Sequence, residues 1–154
     1  MKDIDKGYKD VIKKLQMLQS KTLQVGILSN AGVNEKTGTL IADYAHYNEF
    51  GTKHIPARSF IGSTCDEQSK KWEAMKDEIV DKIIDDPSSN VGRLIGLLGE
   101  QVVADIKEKI TSDISPENRP STIYRKTKGK GGKTTTLIDT GNMRDAIKYK
   151  IVDK

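Results

Sequence analysis

Sulfur chemistry is almost absent from this sequence: Cys65 is the only cysteine in 154 residues. That excludes an internal disulfide and a four-cysteine zinc site, and it fits a reducing compartment. Histidine is nearly as scarce, with only His46 and His54. No long hydrophobic run is present. The longest nearly apolar stretch, Leu94 to Leu98, falls far short of the roughly 20 residues needed to cross a bilayer, so no membrane partner is expected. The N-terminal residues Asp3, Asp5 and Asp10 lie among lysines without an apolar segment, and no secretory signal is expected there. Hydrophobic residues reach 35% and charged ones 31%. Apolar side chains must therefore be gathered on one face of each element, as in a thin layered fold or a subunit completed by its neighbours. The length suits one domain over 1–154.

What is present is periodic. Ile4, Tyr8, Val11, Ile12, Leu15 and Leu18 recur at three- and four-residue steps and predict a helix over 3–20. Leu23, Val25 and Ile27 then alternate with Thr22, Gln24 and Gly26, the two-residue period of a strand. After a polar loop from Ser29 to Gly38, Thr39 is placed to cap a short helix with Ile41, Tyr44, Ala45 and Asn48 inward, and Gly51 is placed to end it. A long stripe from Phe60 through Trp72 and Ile79 to Ile83 stops at Pro87. A second runs from Val91 to Ile110, where Gly92, Gly96 and Gly99 would admit another backbone. Residues 112–136 hold two prolines, three glycines and a threonine run, with too little apolar surface to offset ordering, and predict a long flexible basic loop. Asp139 and Thr140 are placed to cap one helical turn before a closing strand, Ile147 to Ile151. The sum is an α+β domain: a small antiparallel sheet packed against two long helices and an N-terminal helix.

Candidate chemistry is thin. Gly129 to Thr136 (GKGGKTTT) looks like a phosphate loop, but the required earlier glycine is Thr127, and neither a preceding strand nor a following helix is predicted. Asp43, His46 and Glu49 step by three along the short helix, with His54 just beyond; such steps drift off one face, so an exposed polar surface explains them as well as a metal site does. Cys65 sits on the apolar stripe between Ile61 and Trp72 and is expected to be a buried, inert thiol. No catalytic residue, cofactor or metal is assigned, and the chain is expected not to be an enzyme.

Charge is segregated. From Arg119 to Lys133 there are six basic residues, Arg119, Arg125, Lys126, Lys128, Lys130 and Lys133, and no acidic one; removing them from the net +4 leaves the remainder at −2. Such a segment suits phosphates or an acidic partner. With only Tyr124 as a nearby aromatic, base-specific recognition is unsupported. Glu73, Asp77, Glu78, Asp81, Asp85 and Asp86 make the end of the first long helix acidic. Complementary patches on separate parts favour head-to-tail contacts between copies, the acidic helix end of one facing the basic loop of the next.

Two segments, YAHYNEFGTKHIPARSFI (Tyr44 to Ile61) and LIDTGNMRDAIKYKI (Leu137 to Ile151), together resemble the tail-component or neck proteins of tailed bacteriophages, variously called virion morphogenesis, tail-completion or head-tail joining proteins. The resemblance covers about residues 22–152 in order, and the unusually long glycine and lysine loop departs from the family's pattern. It implies a structural subunit that forms a ring with its own copies, contacts other tail or neck proteins and touches passing DNA at most nonspecifically. It also implies a host-cytoplasmic stage followed by a place in the virion. Glu49, Phe50, Gly51, Pro56, Arg58 and Phe60, with Asp139 and Gly141, are the expected scaffold of its turns, and Glu49 and Arg58 are placed either to pair as ions or to stand as two solvated charges. The basic residues 119–133 are the candidate contacts for DNA or a partner. A nonspecific nucleic-acid-binding module is the alternative.

Overall fold

The stripe from Val91 to Ile110 organises the molecule. In the computed structural model, which describes residues 7–35, 37–130 and 134–154, it forms helix α4 (Val91–Thr111). Before it come α1 (Tyr8–Gln19), β1 (Lys21–Ile27), α2 (Ile41–Phe50) and α3 (Ile61–Asp85); after it come α5 (Pro120–Lys126), α6 (Asn142–Asp145) and β2 (Ile147–Asp153). The fold is α+β, with the two strands antiparallel and paired Leu23 to Ile151, Val25 to Tyr149 and Ile27 to Ile147. Each of those pairs puts its side chains on the face that α4 covers, because alternate residues of a strand share a side. The start of the predicted first helix, residues 3–6, lies outside the described residues.

Asn90 starts α4 by accepting a hydrogen bond from the Arg93 N–H at 3.0 Å, which satisfies one of the amides a helix start leaves free. One flank of α4 meets α3 and the other meets both strands. Val91, Ile106 and Ile110 of α4, Ile83 of α3, Phe60 just before it and Ile147 of β2 are almost wholly buried. Each such side chain contributes about 1.5–3 kcal/mol by leaving water. Asp105 also faces inward, three residues after Val102 on the same stripe. It accepts hydrogen bonds at 2.8 Å from Lys71 Nζ and Trp72 Nε1 of α3 and from Gln101 Nε2 of its own helix. Burial raises its pKa, but these donors outweigh burial and hold the carboxyl below its ordinary value.

The glycines of α4 do admit a close neighbour, but it is a side chain rather than a backbone. The Tyr149 ring of β2 lies on Gly96 and Gly99; a Cβ on Gly99 would come within 2.7 Å of the ring. Gly92 meets only Asn90. The capping expectations hold only in part. Leu40, not Thr39, precedes α2 and offers no side-chain cap; Gly141, at φ 85°, directly precedes α6, and Thr140 Oγ1 one residue earlier accepts from the Asn142 N–H at 3.4 Å. A left-handed residue directly before α6 favours glycine, which has no Cβ to clash. Within 112–136, predicted as loop, the described residues include α5, begun by Pro120 at a position where its missing N–H is harmless.

Candidate functional site

The turn between α2 and α3 is built around one carboxylate. Helix α2 ends at Gly51, whose φ of 77° and ψ of 173° let the chain fold back so tightly that a Cβ there would lie 2.8 Å from the Ala57 nitrogen. The Arg58 N–H then donates to the Asn48 carbonyl at 2.7 Å, closing the turn. This brings Glu49 under the first residues of α3. Its Oε2 accepts from the Phe60 and Ile61 amides at 2.7 and 2.9 Å; its Oε1 accepts from the Gly62 amide at 2.9 Å and Ser59 Oγ at 2.6 Å. A buried carboxylate thus satisfies three orphan amides at the positive end of a 25-residue helix. Burial pushes the Glu49 pKa up, and the four donors more than reverse this, leaving it lowered.

Glu49 and Arg58 neither pair with each other nor stand solvated: both are buried. Arg58 points the other way, donating from Nε to the Pro116 carbonyl at 2.7 Å and from a terminal nitrogen to the Glu117 carbonyl at 3.1 Å. Lys126 makes a parallel contact from α5: its ammonium donates to the carbonyls of Thr135, Thr136 and Ile138 at 3.0, 3.1 and 2.7 Å. All three of its donors are used within the chain. Burial lowers the Lys126 pKa, and the positive charges of Arg58 and Arg125 lower it further against the opposing pull of Asp139. Asn118 adds a bond to the Thr136 carbonyl at 3.1 Å. These polar contacts, with Ile114 packed against the core, tie the stretch before and after α5 to its neighbours.

Between α5 and the 52–58 turn lies an open groove of about 590 Å³. Tyr44, His54, Pro56 and Arg58 line it from the first of the two anchor segments, Leu137, Asp139 and Met143 from the second, and Arg119, Arg125 and Lys126 from α5 and its cap. The two segments, some eighty residues apart in sequence, are thus neighbours in space. Arg119 reaches the His54 carbonyl at 3.5 Å, while Arg125, Lys128 and Lys130 are exposed. Lys133 and part of the Gly129–Thr136 string fall outside the described residues. Phe60 anchors the core as expected, whereas Phe50 is 69% exposed and leans on His46, ring centres 4.7 Å apart.

Asp43, His46, Glu49 and His54 do not converge: Glu49 is committed to α3 and the others are exposed. Among the described residues no group of three or more His, Cys, Asp or Glu side chains is placed to hold a metal. Cys65 is exposed rather than buried, one step off the inner face of α3, where Thr64 is the buried neighbour. Partial burial of its sulfur, with the charges of Asp66 and Glu49, pushes the thiol pKa up. Sequence reasoning missed the capping role of Glu49 and the clamp at Asp105. The only signal for Asp105 was a carboxylate on an apolar stripe. Among the described residues no helix is long and apolar enough to cross a membrane. No family model, curated protein or solved structure matches the chain.

Proposed function

We propose that this chain is a structural subunit of a tailed-phage virion, a tail-completion or head-tail joining protein. It acts without catalysis, through ring-type self-assembly and contact with neighbouring virion proteins, after an assembly stage in the host cytoplasm. One observation carries this reading: the two segments that resemble the neck family meet at one groove, with Pro56 and Arg58 from one facing Asp139 and Met143 from the other. Convergence of that kind is expected of a shared structural site and is not required of unrelated coincidences of sequence. The turn is also over-determined by hydrogen bonds, as a rigid presenting element needs to be. Deleting the coding sequence from the parent phage and imaging the lysate by electron microscopy tests it. Filled heads beside separate tails of normal length are expected, and normal infectious particles would remove the protein from virion assembly.

Exposed Arg119, Arg125, Lys128 and Lys130 favour a second reading, nonspecific nucleic-acid binding. It is weakened at Lys126, whose donors are already spent on carbonyls. A monomer that binds duplex DNA with a steep salt slope in filter assays would support this reading over the first.

A further inference from the structure

The groove holds more positive charge than its surroundings balance. Arg58 and Lys126 are fixed in it by neutral carbonyls, which orient a cation without cancelling it, and Arg119 and Arg125 stand at its rim. Asp139 is the only carboxylate among its described lining residues. Among the described residues none of the three arginines has an ion-pair partner. A concave site of this kind favours an anion.

The matching anion is elsewhere on the same molecule. Exposed Asp77, Glu78, Asp81 and Asp85 gather toward the C-terminal end of α3, and no ion pair engages them among the described residues. Asp85, in the last turn, opposes the helix dipole, and Lys76 and Lys82 offset the acidic run only in part. Helix α3 begins beside the groove, three residues after Arg58, and runs for 25 residues. At about 1.5 Å per residue its acidic end lies on the order of 35 Å from its start, too far to fold back into its own groove.

We infer that the groove is a socket for the acidic end of α3 from a second copy of this chain. The contact joins unlike surfaces, so each copy offers one socket and one plug, the arrangement that propagates into a ring or filament. This inference rests on the self-assembly proposed above and names its interface.

Charge exchange tests it, with self-association of the full chain followed by sedimentation velocity over a concentration series. Arg119→Glu with Arg125→Glu, or Asp81→Lys with Asp85→Lys, is expected to raise the concentration needed for association about tenfold or more. These four side chains are exposed, and circular dichroism verifies that each variant folds. Combining all four substitutions, or mixing the two double variants, is expected to restore association, a rescue that damage to folding cannot produce. Association of the wild-type chain that neither double variant weakens, or that the exchange fails to restore, overturns the socket and leaves self-assembly standing. A wild-type chain that stays monomeric throughout overturns both. Groove reversal that abolishes binding of a short DNA duplex while association is unchanged assigns the groove to nucleic acid and also overturns the inference.

Discussion

Glu49 shows how one side chain can decide a joint. Replacing it with glutamine keeps the shape but turns an acceptor-only group into one with an N–H₂ that faces amide donors. Glu49→Gln is expected to lower unfolding stability at neutral pH by about 1–3 kcal/mol, measured by urea denaturation. The pH dependence has a definite sign. The folded pKa of Glu49 lies below its ordinary value, so its stabilising contribution is complete above the usual carboxylate range and disappears as pH falls through the lowered value. The gap in stability between wild type and Glu49→Gln should therefore narrow in acid. A gap independent of pH would mean that the charge of Glu49 does not hold the turn. The importance of this position was legible in the sequence because Gly51 and Pro56, turn residues, follow it closely. Its partner was not, since a carboxylate capping amides eleven to thirteen residues ahead lies outside any local capping pattern.

At the scale of elements, the helix and strand periods announced α3, α4, β1 and β2, because each buries one regular face. Helix α5 was missed for a physical reason. It buries no residue fully, and the stretch around it is tied down by Arg58, Asn118 and Lys126 gripping carbonyl oxygens, which leave no periodic trace. Packing of α4 on β2 yields a sharp test at Gly99. A methyl there would meet the Tyr149 ring at 2.7 Å and Leu23 Cδ1 at 3.1 Å. Gly99→Ala is expected to destabilise the fold by about 1–3 kcal/mol through overpacking, even though alanine is the better helix former. Pairing it with Tyr149→Ala should recover part of the added loss, which a double-mutant cycle by thermal denaturation would measure.

For the whole molecule, charge is separated along the length of α3, with the groove cations beside its start and carboxylates near its end. Attraction between such patches on different copies is screened over about 10 Å at 0.1 M salt and about 3 Å at 1 M. Association of the isolated chain should therefore weaken as sodium chloride rises, and light scattering across a salt series would record it. Association that strengthens with salt would point instead to apolar surfaces, such as exposed Phe50 and Leu40. Segregated charge was visible in the sequence; that the basic end forms a groove floored by Arg58 was not, because Arg58 lies some sixty residues before α5.

The grips of Arg58 and Lys126 have an evolutionary corollary. Both cations hold main-chain oxygens, and every residue type supplies one. The grips themselves thus place no demand on side-chain identity around 116–117 and 135–138; within the second stretch that demand comes from packing, since Thr136 and Leu137 are buried. Divergent descendants of this fold should preserve the hands and the apolar character of position 137, and vary the exposed residues that the hands hold.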